Sequence, residues 1–511
     1  MSKQTICIVQ CGQEDWSKQV TAEKISLVHL HPSQIKDFAY QQQSSDNKDS
    51  FEALLLTDDT YPQDVLLLEQ CSEVHAVFYL GDLATKNGAT QLFLKRKLAQ
   101  AITGSPEEVL HLLSKVAFEG QYGAKLNIRD MKIAKPFLYR SHYDGNRWLH
   151  FDDLNLSDFT PIAHFRYNIS HDYQKLLSIW LEKRASAGLS VQLSIRHLPN
   201  GGVDHFINHW IISPEELSSP IDLDLHQSGY LTVTILAKGR GHLSIGPLHY
   251  RLSRGDFGTF LLGGERLCDH NGREIMTYFD PGDWQPPLNV YFSGYRPAEG
   301  FEGYFMMKKK GAPFLLIADP ALEGGGFYLG SQEIEDKIKA AITSKLRLLG
   351  FSHDQLILSG LSMGTFGALY YSLDLQPYAV VIGKPLTDLG TIAKGTKWGR
   401  PGEFATSLDL MQLLFGELNE QALEQANRIF WDKLETAGQS QTLLAVAYMK
   451  DDDYDSKAFT KLLEKGTSFY ARIIGKGWSG RHNDNSPAIG KWFTRQYDDL
   501  LTNDFHRSDH K

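Results

Sequence analysis

The sequence predicts an α/β protein of several domains whose C-terminal part is a mostly parallel, doubly wound sheet. Three observations predict it. Strand-like and helix-like segments alternate from about Trp284 to the end, a β-rich stretch precedes them, and a smaller alternating region opens the chain. At 511 residues the chain exceeds one ordinary hydrophobic core, so two or three domains are expected. With 42% hydrophobic and 22% charged residues, the composition excludes a largely disordered chain.

The expected division is an N-terminal α/β domain over 1–155, a β-sandwich-like domain over 156–280 and a catalytic domain over 281–511. In the first, the apolar runs TICIVQ, ISLVHL, FEALLLT and VHAVFYL alternate with the helix-like LFLKRKLAQAI and PEEVLHLLSKVAF. It contains no phosphate-binding glycine fingerprint. In the second, HFRYNIS, LSVQLSIRHL, GYLTVTILAK, HLSIGPLHYRLS and FGTFLLGG read as strands, several of them separated by Gly, Pro or Asn. Leu231, Val233 and Ile235 alternate with Thr232 and Thr234, as a half-buried strand requires. Exposed aromatics here could stack on sugar rings and make this a carbohydrate-binding domain. The alternative, that Tyr230, Tyr250 and Phe257 fill a core, is the commoner use of such residues.

The formal charge of -9 argues against nucleic-acid binding, which needs clustered cations. Four cysteines (Cys7, Cys11, Cys71, Cys268) make neither a disulfide framework nor a zinc site. No apolar run approaches the ~20 residues that span a bilayer, and the polar start lacks a signal-peptide core. A cytoplasmic protein is expected.

From Trp284 the elements run in order: strand PLNVYFSG, short helix EGYFMMKKK, strand APFLLIAD, helix SQEIEDKIKAAITSKLRLL, strand QLILSG, helix MGTFGALYYSL, strand YAVVIG. Helical segments between about residues 384 and 439 then interrupt the alternation, as a lid or as extra packing. TLLAVAYM, KAFTKLLEKG, SFYARIIG and SPAIGKWFTRQYDDLL complete the pattern as strand, helix, strand, helix.

Gly360-Leu361-Ser362-Met363-Gly364 matches G-x-S-x-G between a strand and a helix, where a nucleophile elbow belongs. Serine needs a base, and histidine, with a pKa of about 6.5, can accept and return its proton near neutrality. A carboxylate must orient that imidazole. In α/β-hydrolases these partners follow in the order serine, acid, histidine. The acid falls in AVAYMKDDDYD, where Asp452 is chosen and Asp451, Asp453 and Asp455 are rivals. His482, in GWSGRHNDN, is the one histidine in the loop before the last helix. The oxyanion needs backbone N–H donors: that of Met363, and one from FSGYR, where Gly294 and Tyr295 are candidates and Gly324-Gly325-Gly326 the competitor. The same residues would serve an esterase or deacetylase. A scaffold with a vestigial triad is the non-enzymatic reading.

GLSMG, MKDDD and the GWSGRH loop, following this N-terminal half, resemble the accessory Sec system protein 2 family of streptococci and staphylococci. The resemblance covers the whole chain, and Ser362, Asp452 and His482 match the family's triad positions. It implies a cytosolic component of the accessory Sec export system, held at the membrane through the export complex. It further implies O-acetylation of N-acetylglucosamine on serine-rich-repeat glycoprotein adhesins. The implied partners are accessory secretion proteins 1 and 3, the accessory Sec ATPase and channel, and the glycosylated adhesin. No metal or tightly bound cofactor is implied, only an acetyl donor, with acetyl-CoA the candidate co-substrate.

Overall fold

The computed structural model describes residues 5–20, 25–44, 51–202, 205–322, 325–395 and 408–507, and their strands form three sheets. The first sheet is parallel, with the spatial order Ile25–Leu30, Ile6–Cys11, Ala53–Leu56, Val77–Leu80, Gln100–Ile102. Ala53–Leu56 is buried on both faces, which is why its sequence is uniformly apolar rather than alternating. The last strand lies inside LFLKRKLAQAI, expected to be helix throughout. The helix stops at Arg96, and Leu98 takes a positive φ of 47° that turns the chain into the strand. At the switch point of this sheet, where such folds bind ligands, the protein fills its own crevice. Gln10 donates to Thr57 Oγ1 at 3.0 Å and the Tyr61 hydroxyl donates to the Cys11 carbonyl at 2.7 Å.

The second sheet has ten strands and begins at Gly123, well before the boundary expected at 155. Its spine is the 24-residue strand Tyr230–Ser253. GYLTVTILAK and HLSIGPLHYRLS, expected as two strands, are therefore one. Gly239 and Gly241, at φ 108° and 145°, bend it where its neighbour changes from Leu189–Leu198 to Leu176–Ala185. A Cβ at Gly239 would stand 2.1 Å from the Gly188 carbonyl oxygen, so the bend requires glycine. Tyr250 packs near Tyr122, Phe257 stands edge-on to Phe78 at 5.1 Å, and Tyr230 is half-buried; none of the three is an exposed platform. FGTFLLGG is not a strand, because positive φ at Gly258, Phe260 and Gly263 coils it.

The third sheet holds eight strands in the order Gly264–Cys268, Glu274–Asp280, Phe314–Ala318, Leu288–Phe292, Leu356–Leu361, Ala379–Gly383, Leu443–Met449, Arg472–Trp478. The first two are antiparallel and the other six run parallel. The boundary expected at 280 thus cuts through this sheet: the hairpin Gly264–Asp280 is its edge. Hairpin composition resembles that of the preceding β-rich region, so sequence does not reveal which sheet the hairpin joins.

Helix Gln332–Leu349 lays Ile334, Ile338, Ala341, Ile342 and Leu346 on the sheet, as its periodicity predicts. Within 384–439, helix Glu420–Thr436 buries Leu423, Ala426, Phe430, Trp431 and Leu434 in the same core. This part of the interruption is structural packing; residues 396–407 lie outside the described residues. Among the described residues no helix is long and apolar enough to cross a membrane.

A buried ion cluster joins the second sheet to the third. Arg251, on the spine strand, binds Glu299 through Nε at 2.5 Å and Glu274 through its terminal nitrogens. His249 bridges Glu299 at 2.6 Å and Glu182 at 3.0 Å. Burial pushes Glu274 up, but Arg251 and His249 outweigh it and hold the carboxyl down at about 2. Arg251→Ala would leave Glu274 and Glu299 buried without their main cation. A loss of about 3–5 kcal/mol is expected, read as a lower midpoint in urea denaturation of the full-length protein.

Candidate active site

Ser362 sits between strand Leu356–Leu361 and helix Met363–Leu375 with φ 52° and ψ -119°, a conformation that costs a non-glycine residue about 1–3 kcal/mol. The flanking glycines make the turn possible. A Cβ on Gly360 would stand 2.4 Å from the Gly364 backbone, and one on Gly364 would stand 2.0 Å from the Phe292 carbonyl oxygen. Ser362 N–H donates to the Gly383 carbonyl at 2.8 Å, which ties the elbow to the next strand.

The strands that carry the other two residues run parallel beside this one, so their C-terminal ends open on the same rim. Asp452 follows Leu443–Met449 and His482 follows Arg472–Trp478. Ser362 Oγ lies 2.8 Å from His482 Nε2, and His482 Nδ1 lies 2.8 Å from Asp452 Oδ2. The network assigns Nδ1 as the protonated nitrogen, leaving Nε2 to accept from the serine hydroxyl. His482 and Asp452 are buried, and Ser362 is half-buried.

The four acids of MKDDDYD have separate tasks. Asp451 accepts the Gly480 N–H at 3.1 Å and Asp453 accepts the His482 N–H at 3.0 Å. Asp455 is turned away, accepting the Thr387 and Asp388 N–H groups at 2.8 and 2.9 Å. Asp452 alone meets the imidazole, while its other oxygen accepts the N–H groups of Tyr454 and Asp455 at 2.9 and 3.2 Å. Burial pushes the Asp452 carboxyl up, but the hydrogen bonds and charge of His482, with these two N–H groups, bring it below its ordinary value. Two neighbours are not signalled by any motif. The ring of Tyr454 packs on the imidazole at 4.4 Å between centroids, and buried Lys384 donates to Ser486 Oγ at 2.9 Å. Burial lowers the Lys384 ammonium, partly offset by Asp452 and Asp484.

Met363 opens the elbow helix, and its N–H, unlike that of Thr365, which donates to the Ser362 carbonyl at 2.9 Å, comes too early for a carbonyl partner within the helix. The FSGYR loop abuts the elbow: a Cβ on Gly294 would lie 3.0 Å from the Leu361 carbonyl oxygen. Gly294 is nevertheless a correction to the expected donor set. Its N–H donates to Glu302 Oε2 at 2.6 Å, so it reaches no oxyanion unless that carboxylate leaves. Tyr295 follows it with an exposed side chain. In the competing run Gly324 lies outside the described residues, Gly325 backs onto the Met363 side chain, and the Gly326 N–H is held by Asp319 at 2.9 Å. Among the described residues no group of His, Cys, Asp and Glu could hold a metal ion.

Gly364→Ala is expected to destabilise the protein by about 1–3 kcal/mol, because its Cβ meets backbone rather than a side chain that can move aside; thermal unfolding checks this. Asp452 contributes in a pH-dependent way. Its folded value is lowered, so its stabilisation is fully present above the unfolded value of about 3.9 and is lost as pH falls below it. The stability gap between the protein and Asp452→Asn, measured by urea denaturation, should narrow as pH falls from about 4 towards 3. A gap that widens on acidification contradicts this account.

The family model described as the accessory Sec system GspB-transporter matches residues 6–507. The accessory Sec system protein 2 of Streptococcus gordonii is 36% identical over 99% of both chains. Its counterpart in Staphylococcus aureus is 42% identical over 79% of this chain and 78% of its own. Among solved structures, a chain of the glycosylation associate protein (Gap123) complex from Streptococcus agalactiae superposes with a TM-score of 0.94. It is 42% identical, over 99% of this chain and 100% of that one. The match spans all three sheets and the candidate site together, and the chain belongs to the accessory Sec system protein 2 family.

Proposed function

We propose that the chain is a serine O-acetyltransferase that modifies N-acetylglucosamine on serine-rich-repeat glycoprotein adhesins, and that it works within accessory Sec export. The observation that carries the catalytic half is the hydrogen-bonded line from Ser362 Oγ through His482 to Asp452. Family membership supports the export half. The Streptococcus agalactiae relative was solved as part of a complex, which supports assembly with accessory secretion proteins 1 and 3. The same reading takes the accessory Sec ATPase and channel and the adhesin as further partners, on the cytoplasmic side of the membrane.

In this mechanism Ser362 Oγ attacks the carbonyl carbon of an acetyl donor such as acetyl-CoA, and His482 Nε2 takes the hydroxyl proton. Asp452 stabilises the resulting imidazolium across its 2.8 Å contact. The Met363 N–H, at the positive end of the elbow helix, stabilises the oxyanion. The tetrahedral intermediate expels the donor's leaving group, which receives the proton from His482, and an acetyl-serine ester remains. A sugar hydroxyl then attacks that ester and gives its proton to His482. The Ser362–acetyl bond breaks and the serine recovers the proton. Transferase and esterase differ only in whether a sugar hydroxyl or water attacks second.

Purified protein given a glycopeptide bearing N-acetylglucosamine and an acetyl donor should produce acetylated glycan by mass spectrometry. Ser362→Ala and His482→Ala should each lower the rate by about 10³-fold or more. Acetate release without transfer would replace the transferase reading by an esterase one. Unchanged acetylation by Ser362→Ala would remove the serine mechanism altogether.

A further inference from the structure

A cavity of about 660 Å³ opens between the second sheet and the third, within the size range of small-molecule sites. Its walls are rich in charge. On one side are Arg147, Trp148 and the strand end Glu182–Arg184; on the other are Asp269, Arg273 and Glu274. The segments 319–322 and 325–331 separate it from the elbow. Pro320, Ala321, Gly330 and Ser331 line the cavity, while Gly325 touches the Met363 side chain.

The charges do not cancel. Every carboxylate in the wall already has partners: Glu182 has His249, Glu274 has Arg251 and Arg266, and Asp269 has the Asn271 and Arg273 N–H groups and the Ser331 hydroxyl. Arg273 is paired with Asp319 at 2.6 Å. Arg147 has no such partner. It is only 8% exposed, yet among the described residues its guanidinium meets no carboxylate and no hydrogen-bond acceptor. Its contact is the ring of Trp148, 5.2 Å away, and Arg184 lies over the same ring at 4.8 Å. Burial pushes Arg147 below its ordinary value; Glu182 opposes this, while Arg184 and Arg273 add to it. Lys183 is likewise without an ion-pair partner among the described residues, and burial lowers it too. An unpaired buried cation is costly, and the cost is removed when an anion completes the site.

We propose that this cavity binds a phosphate-bearing small molecule, with its phosphate group held by Arg147 and Arg184. A phosphate monoester carries close to two negative charges at neutral pH, against one for a carboxylate, and guanidinium groups bind it through paired N–H donors. The site is separate from the Ser362 chemistry and does not depend on it.

The test uses the full-length protein with two probes, inorganic phosphate and adenosine diphosphate, and with acetate at equal ionic strength as control. Calorimetric titration and thermal unfolding should register both phosphate probes and not acetate. Arg147→Gln and Arg184→Gln should each weaken binding about tenfold or more. Without any probe, Arg147→Gln should unfold at the same temperature or higher, since an uncompensated buried charge is gone. A purely structural stacking role would lower that temperature. Arg184 is exposed, so its variant reports binding even if Arg147→Gln folds poorly. Adenosine diphosphate binding about tenfold tighter than phosphate would assign an organic phosphate; equal affinities would assign the phosphate group alone. Ser362→Ala should bind both probes as the unaltered protein does. No response to either probe, or responses that survive both arginine substitutions, would overturn the proposal.

Discussion

The backbone of Ser362 is the constraint on which the rest of the site depends. A serine at φ 52° and ψ -119° persists only where its surroundings over-determine it. Two of those surroundings are absences of side chain, at Gly360 and Gly364. They let the elbow press against its own helix and against the end of strand Leu288–Phe292. A third is the hydrogen bond from Ser362 N–H to Gly383 on the neighbouring strand. The hydroxyl is thereby held over the rim, and the parallel strands on the same side deliver Asp452 and His482 to it. A sheet with one of those strands reversed would place its loop at the opposite edge.

Much of this was legible in the chain because it rests on order and period. Parallel strands separated by helices must all turn at the same edge, so the succession of Ser362, Asp452 and His482 is enough to suggest a meeting point. What the chain concealed was of two kinds. The choice among Asp451, Asp452, Asp453 and Asp455 depends on which carboxylate faces a ring and which faces a backbone N–H, and in a tight turn that changes with each residue. The commitment of the Gly294 N–H to Glu302 involves residues eight apart whose chemistry gives no advance sign of pairing.

The fold-level misreadings have a common origin in glycine and in edges. Gly239 and Gly241 look like punctuation between strands, yet they are where one long strand bends. The hairpin Gly264–Asp280 looks like the close of the β-rich region, yet it forms the margin of the next sheet. Conversely, Gln100–Ile102 is too short to register beside the helix that runs into it. Local pattern identifies an extended segment; only pairing decides where it belongs.

The cluster around Arg251 has a consequence for how such a molecule can be inherited. Arg251 and His249 come from the middle of the chain, whereas Glu274, Glu299 and the further cation Arg266 come from the part that carries the elbow. Excising the latter as a stand-alone module would leave Glu299 without Arg251 and His249, and Glu274 with Arg266 alone. Recombination that shuffles hydrolase units between proteins is thereby penalised at this seam, and the two regions are bound to travel through evolution as one piece.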